Sequence, residues 1–274
     1  MPKVEVLNTG LVKSCESNCC GKIGEPASLC QIIFTIVKKP LLPALPLLFA
    51  ISSYAQLFYI GGGENFSFIN NESLDFVINR YNERTYLDKE MKEFNYMRGA
   101  AINLGIVTPA GFTYEIAWIG RHLKRYAETD TFGQLERRDV KIRNNSFNLG
   151  LGYTYVRESV FCPGLLLSFD FGSFKSFTRA DAADKIDDTD YDKVMKETQL
   201  GFTFMLNLML AGKKSNLGFA VRPYYQVQLF APDFQELNIA INPGSANADA
   251  DLDLSENMHN FGVQAVLMLT FRGK

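Results

Sequence analysis

The stretch from His259 to Phe271, HNFGVQAVLMLTF, constrains the fold more than any other part of the chain. In an extended strand, successive side chains point to opposite faces. One face of this stretch is therefore almost purely apolar, whereas the other is mostly small or polar. A strand of this kind, ending in an aromatic residue, is typical of the one that closes a β-barrel in a membrane. Six residues make up the apolar face: Phe261, Val263, Ala265, Leu267, Leu269 and Phe271.

The same alternation recurs in seven earlier segments, so the sequence predicts an all-β protein. We expect an eight-stranded antiparallel transmembrane β-barrel, an up-and-down meander. The connectors after strands two, four and six are short and the others are longer, which matches the turn and loop ends of such barrels. A soluble barrel with an apolar interior also alternates, but this asymmetry and the aromatic strand ends favour the lipid-facing form. The predicted strands are 57–68, 97–107, 112–126, 135–155, 165–171, 200–210, 217–229 and 259–271.

An export signal is predicted within residues 32–55. Lys38 and Lys39 precede an apolar run at 41–51, and small residues before Gln56 place the cleavage after Ala55. The run is too short for a transmembrane helix, and prolines interrupt it. The barrel then spans 56–274.

Residues 1–31 lie upstream of this signal and hold Cys15, Cys19, Cys20 and Cys30. We interpret this segment as unstructured or as a start of translation placed too early. A zinc site is a weak alternative, because no second C-x-x-C pair accompanies these cysteines. The exported part keeps only Cys162, so it can form no internal disulfide.

The exported chain resembles the small outer-membrane β-barrel proteins, the eight-stranded OmpA-like and PorT-like group. The strand count, the loop asymmetry and the closing LMLTF carry the resemblance. It implies a monomer in the outer membrane, surrounded by outer-membrane lipid and lipopolysaccharide, with an extracellular or envelope protein as a further partner. It implies no cofactor. The formal net charge of −2 argues against a nucleic-acid partner.

Four charged residues fall on the inward face of the predicted strands: Glu115, Arg121, Asp170 and Arg222. An eight-stranded barrel has an interior just wide enough for side chains to fill it. An unpaired buried charge costs roughly several kcal/mol. We therefore expect these four residues to form a lumenal charge network, and we expect side chains to plug the lumen. An ion pathway through a narrow channel is the alternative.

The predicted surface loops have two further features. Leu74, Val77, Ile78 and Tyr81 share one face of a helix in the first loop, with Asn71 or Ser73 as its cap and a continuation toward Phe94. Elsewhere, acidic residues cluster in segment 180–197 and near the C-terminus. The second cluster is a weak candidate for a divalent-cation loop, although the glycine of an EF-hand is missing, and a solvated loop is the simpler interpretation. Its members are Asp249, Asp251, Asp253 and Glu256.

A structural or surface-binding role through the first, third and fourth surface loops is the function that these patterns favour. A narrow channel, or an accessory part of a transport or secretion system, is the second hypothesis. A lipid-modifying enzyme of the outer leaflet is the third, with His122 or His259 beside Ser255 and Glu256. No spaced nucleophile motif accompanies these histidines, so we expect no enzymatic activity.

Overall fold

The computed structural model describes residues 56–274 except 84–85, 157–159, 213–215, 245–250 and 274. The predicted signal peptide and the segment before it lie outside the described residues.

Eight antiparallel strands follow one another around a closed barrel, which confirms the predicted fold. A helix, α1 (Glu72–Asn82), lies between β1 and β2, and a shorter one, α2 (Gln235–Ile241), lies between β7 and β8. The strands are β1 (Leu57–Ile69), β2 (Tyr96–Val107), β3 (Phe112–Thr131), β4 (Gln134–Thr154), β5 (Phe161–Ala182), β6 (Asp192–Ala211), β7 (Leu217–Gln228) and β8 (Asn260–Arg272).

The barrel is closed by β1 and β8, which pair continuously from Leu57↔Arg272 to Ile69↔Asn260. Aromatic pairs lie at both ends of this seam, with ring centroids 6.0 Å apart for Phe58 and Phe271 and 5.1 Å apart for Phe68 and Phe261. Closure removes the free sheet edge whose backbone groups would otherwise be unpaired in lipid. The C-terminal strand therefore has the role that its sequence predicted.

The outer face of the barrel is apolar, as a lipid-facing wall requires. Leu165, Leu267 and Ile102, for example, are 67%, 63% and 56% exposed. A continuous apolar surface of this size is unfavourable in water. The inward positions of the same strands carry most of the buried polar side chains. None of the described helices is long and apolar enough to cross a membrane.

We call the end that holds the chain's Leu57 and Arg272 the turn end, and the opposite end, which holds α1 and α2, the loop end. Strands β3 to β6 extend beyond the apolar belt at the loop end. The extensions of β3, β5 and β6 reach further than predicted, whereas β4 has almost the predicted bounds. A two-residue turn at Phe132 and Gly133 joins β3 to β4, so the predicted loop at 127–134 is wrong. Half of the acidic segment 180–197 is likewise strand, and a 3-10 turn at Ile186–Asp188 lies between the two strand parts. On these extensions the lipid-facing pattern is reversed. The outward face is mostly polar, whereas inward positions such as Val140, Ile142 and Phe174 are apolar and pack into the loop end.

Helix α1 forms where the sequence predicted it. The Asn71 side chain accepts a hydrogen bond from the Leu74 N–H (2.7 Å), and the predicted apolar face is buried. The expected continuation toward Phe94 is wrong, because the helix ends at Asn82. Met91 and Phe94 are buried without helical structure, and the Asn82 side chain accepts a hydrogen bond from the Met91 N–H (2.9 Å). Packing into the loop end, not helical periodicity, accounts for these apolar residues.

The seam leaves no room for a side chain at Gly63, since a Cβ there would lie 1.9 Å from the Ala265 carbonyl oxygen. We expect Gly63→Ala to force β1 and β8 apart and to lower the free energy of unfolding by about 1–3 kcal/mol, as overpacking does. Urea unfolding in vesicles, followed by heat-dependent gel mobility, measures the change. Gly244→Ala is the control, because no atom of the described residues lies within 4 Å of its added Cβ. Equal stability of the two variants would contradict this account of the seam.

Candidate functional site

Near the turn end, the barrel interior is filled by a layer of apolar side chains. Its side chains come from β1, β2 and β5 to β8, and they are almost completely buried. The buried apolar side chains of this layer occupy the interior on that side. Its members are Leu57, Tyr59, Val107, Cys162, Met209, Ala211, Ala220, Val266 and Met268.

Above this layer lies a buried ion pair between Glu115 on β3 and Arg222 on β7. Arg222 Nη1 lies 2.8 Å from Glu115 Oε2, and both residues are almost fully buried. The Tyr59 hydroxyl and the Asn103 amide also donate to the Glu115 carboxylate, at 2.6 and 3.0 Å. Arg222 Nε donates to Asn207 at 2.9 Å. The added hydrogen bonds offset the large cost of removing both charges from water.

The other two predicted charges, Arg121 and Asp170, are joined through Gln226. The Gln226 side chain accepts a hydrogen bond from Arg121 (3.1 Å) and donates one to Asp170 (2.8 Å). Asp170 also accepts hydrogen bonds from Ser168 at 2.8 Å and from Asn148 and Thr203. The structure therefore places all four predicted charges in the interior, but it joins only Glu115 and Arg222 by a direct ion pair. The two acids and two arginines balance in formal charge.

A second apolar core, which we call the cap, closes the loop end. Helix α1 contributes Leu74, Val77 and Ile78, and α2 contributes Leu237 and Ile241. These side chains pack against the inward faces of the extended strands. The rings of Phe174 on β5 and Phe234 beside α2, for example, have centroids 5.9 Å apart in an edge-to-face arrangement. The polar centre is thus enclosed between two apolar layers.

The outer face of the extended strands carries a charge cluster centred on Asp139 of β4. Lys124, Arg137 and Arg179 approach its carboxylate to 2.7, 2.8 and 2.9 Å. Burial alone would raise the pKa of Asp139, but the hydrogen bonds from these cations outweigh burial and lower the pKa below its ordinary value. This cluster was not predicted from the sequence, because its members are brought together only by the pairing of β3, β4 and β5. The cluster holds three long strand ends together.

A polar cleft of about 490 Å³ opens on the inner face of the same extensions. Arg138 lies at its edge, where it donates to the Ala240 carbonyl (3.3 Å) and lies over the Tyr81 ring of α1 (6.0 Å). Cations, carboxylates and two tyrosines share the walls of the cleft. It can therefore offer hydrogen bonds and aromatic contacts to a water-soluble ligand. The polar and aromatic lining residues are Tyr81, Tyr86, Glu128, Thr129, Gln134, Glu136, Arg137, Arg138, Asp181 and Lys185.

The candidate divalent-cation loop is not assembled among the described residues. Asp249 lies outside them. The Glu256 carboxylate accepts a hydrogen bond from the Ser73 N–H at the start of α1 (2.8 Å), and Asp253 accepts one from the Ser255 N–H (2.9 Å). Within the described ranges, no group of three or more His, Cys, Asp or Glu side chains could hold a metal ion. Asp253 thus stabilises the backbone of its own segment, whereas Glu256 bonds the start of α1.

The two histidines lie in different surroundings. His122 is exposed on the outer face of β3, directly opposite Arg98 of β2 and Arg143 of β4. His259 is exposed just before β8. The neighbours of His122 across the strands are cations, whereas a catalytic triad requires a hydroxyl and an acid. Glu256, the acid nearest His259 in sequence, is bonded to the backbone of α1.

The comparisons with known proteins find resemblance in structure only. No family model matches the chain, and no curated protein matches it. One similar solved structure is Ail, the attachment invasion locus protein of Yersinia pestis, in complex with the heparin analogue sucrose octasulfate. It is 8% identical with a TM-score of 0.38, and the match covers 78% of this chain and 98% of Ail. Another is Neisserial surface protein A, NspA, at 10% identity and a TM-score of 0.40, covering 78% of this chain and 97% of NspA.

Replacing Arg222 with Met tests the buried pair, because it leaves the Glu115 charge buried without its cation. We expect Arg222→Met to lower the free energy of unfolding by about 3–5 kcal/mol. The double variant Glu115→Gln/Arg222→Met should recover much of that loss, since no uncompensated charge remains. Urea unfolding of the refolded proteins in vesicles measures both. A single variant as stable as the wild type would rule out the pair as a structural element.

Protonation of Asp75 on α1 should control the stability of the cap. Burial, with the nearby charges of Glu93, Glu256 and Glu72, raises the pKa of Asp75 from 3.8 to about 6. The folded state therefore favours the protonated form, so α1 should be most stable below pH 4 to 5 and should lose this stabilisation as the pH rises through 6.

Hydrogen exchange of the α1 amides between pH 5 and 7.5, corrected for the intrinsic exchange rate, measures this stability. We expect Asp75→Asn to protect α1 better than the wild type at pH 7.5 and to flatten the pH dependence. Glu90→Gln removes an exposed acid of the same loop as a control. Identical corrected protection of α1 in the Asn variant and the wild type at both pH values would contradict this assignment.

Proposed function

We propose that the chain is an outer-membrane barrel with a closed lumen that acts structurally or binds a partner at its loop end. The single observation that carries the proposal is the filled interior, apolar at both ends and hydrogen-bonded in the middle. With the interior occupied by its own side chains, the loop end is the surface on which a large water-soluble partner can be recognised. By the usual orientation of such barrels, this end faces the outside of the cell.

The polar cleft is the binding site that we propose. Tyr86 and Glu136 are exposed on its walls, whereas Arg138 supports it from beneath through its contacts with α1 and α2. Aromatic surface beside fixed charges suits a polar polymer or a protein loop, because tyrosine adds contact area at a small entropic cost. The partner class that we favour is an extracellular or envelope protein.

Membership in the OmpA-like and PorT-like group and a monomeric state belong to the same proposal. A closed barrel offers no strand edge to a second copy, which supports the monomer. The channel and the lipid-modifying enzyme remain hypotheses. The first predicts conductance that changes with Glu115→Ala or Arg222→Ala. The second predicts altered lipid that is lost with His122→Ala or His259→Ala.

Binding to the cleft is tested with residues 56–274 in nanodiscs, probed against arrays of purified extracellular proteins, envelope proteins and polysaccharides. We expect at least one protein on the array to bind, and Tyr86→Ala/Glu136→Ala to weaken that binding at least about tenfold, the usual scale of a lost interface anchor. Lys92→Ala, exposed in the same loop outside the cleft, should leave it unchanged. Binding that survives loss of both cleft residues, or arrays without any binder, would contradict the proposal.

A further inference from the structure

Five basic side chains lie side by side on the outward face of five consecutive strands, β2 to β6. We call such a set of directly paired residues on neighbouring strands a rung. The cross-strand register pairs Arg98 with His122, His122 with Arg143, Arg143 with Lys175, and Lys175 with Lys196. We call these five residues the basic row. Adjacent strands are about 4.8 Å apart, so the row covers roughly 19 Å of the wall. Strand pairing alone creates it, because its members are spread over almost one hundred residues of sequence.

On β3 to β5 the basic row lies just beyond the apolar belt of the outward face, whereas next to Arg98 the belt continues on β1 with Phe66. Two rungs nearer the turn end, the outward residues include Trp118, Phe147 and Phe171, which pair with one another across β3, β4 and β5. The rung between them holds Gly120, Asn145 and Ser173. Four residues of strand separate the aromatic rung from the row, which is about 13 Å along the strand and about 10 Å along the membrane normal at the usual tilt. On β3 to β5 the row thus lies on the headgroup side of the aromatic rung, and the same tilt shifts the row along the normal by about 3 Å from one strand to the next.

The basic row has no acidic partner among the described residues. No carboxylate there forms a salt bridge with Arg98, Arg143, Lys175 or Lys196. Glu64, the outward acid of β1, pairs with Ala100 one rung below Arg98. Like charges directly opposite each other destabilise a sheet. One rung further out, by contrast, Lys124 is neutralised by Asp139. The protein thus supplies a counter-ion to Lys124 and none to the row.

We propose that the basic row binds the phosphate groups of lipid in the leaflet that surrounds the loop end, such as the phosphates of lipid A. This inference rests on the membrane placement in the proposed function and names a lipid partner for it. The row faces away from the barrel interior and lies on the loop-end side of the aromatic residues around Trp118. A lipid whose chains cover Trp118 and its neighbours therefore brings its headgroup to the row. Lysine and arginine are the side chains that bind phosphate by charge and by hydrogen bonds.

Only a lipid satisfies both parts of this surface at once. An acidic soluble protein would meet the charges but not the apolar wall directly beneath them. Free phosphate would meet the charges without anchoring to that wall. The partner predicted by the combined surface is consequently a phosphate carried on acyl chains.

The test uses residues 56–274 refolded in detergent and titrated with bis-phosphorylated lipid A or with dephosphorylated lipid A. Trp118 is the only tryptophan of the chain and lies on β3, four residues from His122, so its fluorescence reports binding directly. We expect at least tenfold tighter binding of the phosphorylated lipid. Arg143→Gln/Lys175→Gln should weaken that binding about thirtyfold, since each cation near a charged membrane surface contributes roughly fivefold.

Arg80→Gln/Lys92→Gln is the matched control, because it removes the same charge from the first loop, away from the row. It should leave the affinity unchanged. Heat-dependent gel mobility shows separately whether each variant forms the barrel, so failure of the row and failure of the barrel are distinguishable. Equal affinity for the two lipids, equal weakening in the control, or displacement of lipid A by millimolar inorganic phosphate or by polyglutamate would each overturn the proposal.

Discussion

Closure of the sheet between β1 and β8 is the constraint on which the rest of the structure depends. In lipid, a strand edge would leave backbone N–H and C=O groups without partners, and only a closed barrel avoids that cost. The seam between Leu57↔Arg272 and Ile69↔Asn260 provides the closure. It also fixes the number of strands and therefore the width of the interior. Everything inside has to fit a space that eight strands enclose.

The interior follows from that limited width. A barrel of this size holds side chains and little else, so the polar groups inside it interact mainly with one another, although the Asn144 and Gln199 amides have no protein partner among the described residues. Glu115 and Arg222 form a direct ion pair, whereas Arg121 and Asp170 interact through Gln226. Apolar layers at both ends separate these groups from water. Because the interior is filled, ligands are expected to bind at the surface, in the cleft at the loop end and at the basic row on the barrel wall.

Strand alternation was enough to predict the fold and the inward position of the four lumenal charges. Within the belt one face is apolar and the other polar, so each strand is visible in the sequence. The loop-end part of β4 was predicted, but the extensions of β3, β5 and β6 were not, because their outward faces are mostly polar and lack the lipid-facing pattern. The Asp139 cluster and the basic row were missed for a related reason. Each depends on which residues lie opposite one another on paired strands, for example Arg143 and Lys175, and sequence spacing alone does not give that register.

Planar-bilayer conductance of refolded residues 56–274 tests the central claim, the closed interior, most directly. Insertion would be confirmed by heat-dependent gel mobility in the same preparation. A filled lumen predicts inserted protein that passes no discrete current, because the layers on either side of Glu115 and Arg222 leave no continuous water path. Discrete channel openings that change with Arg222→Ala would contradict the closed interior. They would make the lumenal charges the lining of a pore.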